Sequence, residues 1–160
     1  MYNEVSLGGT MKKGFTLIEL LIVMVVLGIL VTIAMPKYRA SLERGRAMEG
    51  ITNLRAASDA LNAKYIMNEN VYTDTGVVNA SGTFISGNLA KSRSFSAPAI
   101  SSLSNTQARV QVVREGNEYT LTAVNTNGEL DQIICSGDTE LCQAIGAEYS
   151  GGSYIFDFTK

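Results

Sequence analysis

Residues 15–35 read FTLIELLIVMVVLGILVTIAM, and Glu19 is the only charge in the run. Wound as a helix at about 1.5 Å per residue, these 21 residues span about 31 Å, the thickness of a bilayer's hydrocarbon core. A secretory signal has a shorter apolar centre, about 7–15 residues, followed by small residues at a cleavage site. Here the run passes into Met35-Pro36-Lys37-Tyr38 with no Ala-x-Ala pattern. The segment therefore reads as a retained single span that must lie in a membrane or in something equally dry.

The rest of the chain is ordinarily polar. Of 160 residues, 46% are hydrophobic and 18% charged, against a usual share of about 25% charged. That is one domain's length beside the span, and too apolar to be disordered. There is no His and no Trp, and there are two Cys. The absence of His removes the commonest general base and metal ligand and excludes a Ser–His or Cys–His arrangement. Two thiols do not make a four-thiolate zinc site. Acidic residues recur with Asn and Gly at 125–131 and 136–140, but neither stretch has the spacing of an EF-hand loop. A net charge of −2 offers no basis for general nucleic-acid binding through phosphates. The expectation is a protein that is not an enzyme, with no cofactor and no metal.

Glu19 is the anomaly in the span. A carboxylate at a span's centre costs about 2.5–3.5 kcal/mol by insertion scales, and less near an end. On one reading it snorkels to the headgroups. On the other it meets a cation in the dry layer, and the run contains no Lys or Arg. An α-amino group at Phe15, exposed by a cut after Gly14, would be such a cation.

Lys12-Lys13-Gly14-Phe15-Thr16-Leu17-Ile18-Glu19-Leu20, followed by the long apolar run, resembles the class III signal of type IV pilins and pseudopilins. That pattern is a short basic leader ending in Gly, then Phe, then Glu at the fifth mature position. Gly28 and Pro36 match positions where such pilins often carry Gly and Pro. The resemblance covers roughly residues 11–40; beyond Tyr38 it is one of layout. It implies that a prepilin peptidase cleaves between Gly14 and Phe15 and N-methylates Phe15. It also implies that Glu19 faces the Phe15 amine of a neighbouring subunit in a helical filament. Implied partners are copies of the chain and related pilins, the peptidase, an inner-membrane assembly platform and membrane lipids. The implied location is a single-pass inner-membrane protein with its head outside the cytoplasm, later a pilus or periplasmic pseudopilus. Residues 1–14 are then a leader, with Met11 an alternative start, and are excluded from the fold.

Two Lys precede the span, and Lys37, Arg39, Arg44 and Arg46 follow it. A positive-inside count alone would put the C-terminal part in the cytoplasm. Cys135 and Cys142 point the other way. They are either separate buried thiols or a disulfide, and the short segment CSGDTELC, with Gly137 to allow a turn, favours pairing. A disulfide implies an oxidising compartment. Pilins of the resembled family commonly close a C-terminal loop this way.

Pro36 predicts a bend, and Gly28 weakens the same stretch of helix. The resemblance adds the possibility of melting between the two in a fibre. Beyond Pro36 the apolar spacing of Leu42, Ile51, Leu54, Ser58, Leu61 and Tyr65 predicts an amphipathic helix to about residue 68. Residues 69–107 read as a long connection with short strands at 71–72 and 83–85. Strands are expected at 109–113, 118–124, 130–135 and 154–158, with turns at 115–117 and at Asn127-Gly128. The predicted fold is α+β: a long N-terminal helix packed on a small antiparallel sheet. Its parts are a leader (1–14), an apolar helix (15–36), an amphipathic helix (37–68) and a globular region (69–160). Charge divides along the chain, with net +3 over 37–64 and net −5 over 65–160.

Three functions fit these features. The chain is a structural subunit of a type IV pilus-like filament, a pseudopilin of a type II secretion system, or a single-span anchored binding module that never polymerises. Glu19 discriminates the last, because a mere anchor has no use for that carboxylate.

Overall fold

The computed structural model of the chain describes residues 15–72 and 92–156. The chain divides into two compact units, 1–37 and 38–160. Gly14 and the rest of the expected leader lie outside the described residues, as do the expected strand at 83–85 and residues 157–158 of the last one.

Helix α1 runs Leu17–Met67, with Pro36 inside it. Its first turn is closed by Thr16, whose hydroxyl accepts a hydrogen bond from the Glu19 amide at 3.3 Å while its carbonyl accepts from Leu20. Proline does not end the helix, although it removes one backbone donor there. α1 ends close to the expected residue 68: Glu69 and Asn70 take positive φ, and the Asn70 amide donates to the Tyr65 carbonyl.

In the unit 38–160, α1 contributes the stripe Glu43, Ala47, Gly50, Ile51, Leu54, Ala57, Ser58, Leu61 and Tyr65. This corrects the sequence reading at one end. Leu42 is 43% exposed, and the charged Glu43 beside it is buried. Hydrophobicity assigned the wrong member of that pair, because the groups that neutralise Glu43 come from distant strands.

The sheet has six strands: β1 (Ala99–Leu103), β2 (Gln107–Val113), β3 (Tyr119–Thr126), β4 (Glu129–Gly137), β5 (Glu148–Ser150) and β6 (Ser153–Phe156). A short helix, α2 (Thr139–Ala144), lies between β4 and β5. The order is β1-β2-β3-β4-β6-β5, antiparallel throughout. Alternation places Ala108, Val110 and Val112 of β2, Tyr119, Leu121 and Ala123 of β3, and Ile133 and Cys135 of β4 in one core with the α1 stripe. Gly50 permits the close approach: a Cβ there would stand 3.0 Å from the Phe95 ring and 3.1 Å from Leu121. The Asn127-Gly128 turn has positive φ at both residues, 52° and 88°, as a two-residue hairpin requires.

The sheet is larger than the three or four strands expected. β1 lies within the stretch read as a loop; it is short, half polar and at an edge, so it lacks a strong pattern. Residues 71–72 are not a strand, but Tyr72 is buried against Tyr65, with ring centroids 4.5 Å apart. α2 arises inside the cysteine loop because the Asp138 carboxylate caps it, accepting from the Glu140 and Leu141 amides at 2.9 and 3.1 Å. β5 and β6 are joined through Gly151 and Gly152, both at positive φ.

Candidate functional site

The candidate site is the N-terminal apolar segment. Every residue from 15 to 39 is exposed, and Phe15 and Leu17 keep 84% and 90% of their surface. The best 18-residue window of α1 has mean hydropathy 2.9 and is not buried within the chain. An uninterrupted apolar surface of this extent is unstable in water and must be covered by lipid or protein. The polar groups of the segment are handled locally. Thr32 donates its hydroxyl to the Ile29 carbonyl at 2.7 Å, and backbone groups are tied up in the helix. Glu19 remains the ionisable group inside the run.

Thr16-Leu17-Ile18-Glu19 also has the T-x-x-E spacing of a capping box. The sequence reading missed this. The signal lay in Thr16, three residues before the carboxylate. The bond that forms is the Thr16 half, and it uses the backbone amide of residue 19, which any residue at that position would supply. Phe15, Glu19, Gly28 and Pro36 all lie in or beside this one segment; Cys135 and Cys142 belong to the other unit. A Cβ on Gly28 would meet nothing within 4 Å.

The unit 38–160 contains the polar arrangement that sets α1 on the sheet. Arg114 at the end of β2 donates to Glu43 through Nε, and through Nη2 at 3.3 Å. The Tyr119 hydroxyl adds a bond to the same carboxylate at 3.0 Å, and Arg46 adds one at 3.1 Å. Arg114 Nη1 is satisfied by the Ser94 and Glu115 carbonyls, both at 3.1 Å. Burial by itself raises the Glu43 carboxyl, but the bonds from Arg114, Tyr119 and Arg46 outweigh it, and the group titrates below its ordinary value. The bond to Glu43 raises Arg114, and burial raises Tyr119 strongly. A second polar set ties α1 to the β3–β4 turn. Tyr72 donates to Asn62 at 2.7 Å, Asn62 donates to Asn125 at 3.3 Å, and the Gly128 amide donates to the Tyr72 hydroxyl at 3.0 Å. Cys135 and Cys142 form a disulfide between β4 and α2, so the paired alternative holds. Among the described residues no group of His, Cys, Asp and Glu is arranged to hold a metal ion.

The profile of the prokaryotic N-terminal methylation motif matches residues 9–35. The chain is 36% identical over 86 residues to a Neisseria gonorrhoeae protein named type IV major pilin protein PilE, covering 51% of this chain and 50% of that one. It is 37% identical over 87 residues to a Neisseria meningitidis fimbrial protein, covering 52% and 49%. A Dichelobacter nodosus protein named type IV major fimbrial protein FimA is 46% identical over 43 residues, 27% of each chain. The matched region thus spans about half the length, or less, of these curated relatives. No solved structure matches.

Proposed function

We propose that this chain, which belongs by its N-terminal segment to the type IV pilin family, is a structural subunit of a type IV pilus-like helical filament. It has no catalytic role. The observation that carries this reading is the exposed apolar segment with its single carboxylate, directly behind the Gly14-Phe15 junction. The relatives' names, pilin and fimbrial protein, support it.

The steps are those that the resemblance to type IV pilins implies. The precursor is held in the inner membrane by residues 15–36, with the region that follows outside the cytoplasm. The Cys135–Cys142 disulfide supports that orientation, because such bonds persist in oxidising compartments. Prepilin peptidase cuts after Gly14 and N-methylates Phe15, and a platform in the inner membrane receives the mature subunit. The new ammonium at Phe15 then meets Glu19 of a neighbouring copy. A lone carboxylate in a dry layer is costly, and pairing with an ammonium offsets much of that cost. Only one axial offset makes the pair, so charge sets register while the apolar surface supplies adhesion. Gly28 and Pro36 give the segment freedom to bend as it moves from lipid to fibre.

Two measurements test this. Mass spectrometry of envelope protein is expected to find a chain beginning at Phe15 with one added methyl group; a chain retaining Gly14, or beginning beyond residue 36, refutes the processing. Shearing is expected to release the mature chain as fibres.

In the second reading, a single-span anchored module, the Glu19 charge has no use. Glu19→Gln separates the two, since glutamine keeps the capping geometry and removes the charge. Normal fibres from Glu19→Gln would remove the pairing. A type II secretion pseudopilin shares all these steps and differs in where the fibre ends.

A further inference from the structure

The β3–β4 hairpin turns on Asn127 and Gly128 alone, since Thr126 already pairs with Glu129. Their φ values, 52° and 88°, are those of a type I′ turn. The residues that meet this demand also bring a chemical weakness. Asparagine tolerates the left-handed backbone, but its carboxamide carbon lies within reach of the next backbone nitrogen, which makes it a thermolabile residue. A glycine that follows has no side chain to obstruct that nitrogen. Glycine is required here for a second reason: a Cβ on Gly128 would stand 2.9 Å from Cδ1 of the Tyr65 ring. Asn127 itself is exposed. The pair that the hairpin needs is therefore a pair prone to cyclise.

Groups from outside the hairpin hold this turn. The Gly128 amide donates to the Tyr72 hydroxyl at 3.0 Å, and that hydroxyl gives its own proton to Asn62 at 2.7 Å. Asn62 donates to the buried Asn125 at 3.3 Å, and Asn125 donates to the Ala108 carbonyl at 3.3 Å. The Asn127 amide donates to the Thr106 carbonyl at 2.9 Å. Tyr72 is buried, and its ring lies on that of Tyr65. A type I′ hairpin closes through its own backbone preferences and needs neither outside bond to form. Both turn amides are nevertheless engaged, and the one engaged by Tyr72 is the nitrogen that would attack Asn127.

We infer that Asn127 is a self-modification site, open to deamidation, and that the Tyr72 hydroxyl keeps it intact. In the reaction the Gly128 nitrogen loses its proton and attacks Cγ of Asn127. A C–N bond forms, the carboxamide nitrogen leaves as ammonia with that proton, and a five-membered succinimide remains. Water then adds to either imide carbonyl and breaks its bond to nitrogen, which leaves aspartate or isoaspartate at 127. One water enters and one ammonia departs, with no cofactor. Attack requires that the Gly128 N–H be released and that the peptide plane between 127 and 128 rotate. The bond to Tyr72 opposes both, so the reaction runs from the opened turn, whose population local stability sets. Burial raises the Tyr72 phenol above its ordinary 10.0, so it stays protonated and does not take the amide proton. Aspartate adds a charge beside Glu129 and near Asp131. Isoaspartate routes the backbone through the side-chain carbons and adds an atom to a turn that the Thr126–Glu129 pair closes with two residues. None of this depends on the filament reading.

The test uses the full chain, solubilised in detergent and incubated at neutral pH. Peptide mapping with fragmentation follows the amide-to-acid change at Asn127, with the buried Asn125 as the reference within the same peptide. Tyr72→Phe keeps the ring against Tyr65 and removes the acceptor. Loss of one such bond changes the opening of the turn about tenfold, so Asn127 is expected to convert about tenfold faster in Tyr72→Phe, with Asn125 unchanged. Amide hydrogen exchange at Gly128 is expected to rise by the same factor while that of Leu121 in the core stays as it was. An equal or slower conversion at Asn127 overturns the inference. So does a Leu121 amide that speeds up as much as Gly128, because the whole region has then loosened. Two comparisons need no variant. The unaltered folded chain is expected to convert Asn127 at least tenfold more slowly than the same chain in urea, and its Gly128 amide is expected to be protected by at least that factor. Equal conversion in the folded and urea-unfolded chains, or an unprotected Gly128 amide, overturns the inference even where Tyr72→Phe fails to fold.

Discussion

Glu19 and Glu43 lie on the same helix and end in opposite situations. Glu43 is 6% exposed and bonded to two arginines and a tyrosine of its own chain. Glu19 sits on an exposed apolar segment, where its own amide donates to the Thr16 hydroxyl. The contrast separates a region complete in itself from a region whose completion must come from outside. The unit 38–160 buries an apolar core and neutralises its buried Glu43 internally. The segment before it buries nothing within the chain and has one charge that becomes costly when the segment is covered.

Removing each carboxylate in turn sharpens this contrast. The largest effect is expected at Glu19. Under the proposed pairing, loss of its charge would leave a buried ammonium without a partner in the fibre, a change of about 3–5 kcal/mol. At about 1.4 kcal/mol per tenfold, that lowers incorporation by at least a hundredfold. Glu19→Ala is therefore expected to be inserted and processed yet nearly absent from the sheared-fibre fraction, and Glu19→Asp to be intermediate.

At Glu43 the same kind of substitution is expected to harm folding instead. Glu43→Leu strands the buried Arg114 guanidinium and is expected to cost about 3 kcal/mol in denaturant unfolding of the detergent-solubilised protein. Glu43→Leu combined with Arg114→Met is expected to recover most of that loss, because an apolar pair of similar volume is often neutral. If the double variant is no more stable than the single one, the network is not acting as a pair.

The disulfide comes next. Cys135→Ser is expected to lower stability by about 2.5 kcal/mol from the eight-residue loop, with the apolar segment unaffected. Non-reducing peptide mapping checks the bond directly, and free thiols on envelope protein would undo the orientation argument.

The smallest effect is a pH slope. The folded Glu43 titrates below its ordinary 4.5, so its pairing stabilises the fold above that pH and is lost as pH falls through the lower folded value. Unfolding midpoints below about pH 4.5 are thus expected to fall more gently in Glu43→Gln than in the unaltered chain. Tyr119 has the opposite sign. Its raised phenol favours the protonated folded state, and stability is lost only as pH rises above its ordinary 10.0.

Much of this was legible because the signals are local. The span is one unbroken run, and the Asn127-Gly128 turn specifies a hairpin by its own backbone preferences. Two overlooked elements were equally local: Asp138 caps α2, and Gly151-Gly152 turns β5 into β6. These signals act over a few residues, so no tertiary information is needed to read them.

Other features came only with tertiary structure. Periodicity chose Leu42 for the buried stripe, and Glu43 took that place because Arg114 and Tyr119 arrive from strands more than 70 positions away along the chain. β1 is a strand because β2 offers its edge, and its own composition gives little preference. Local propensity and hydrophobic run length are properties of a segment. Neutralising a buried charge and pairing an edge depend on which distant segments meet, and that is decided by packing.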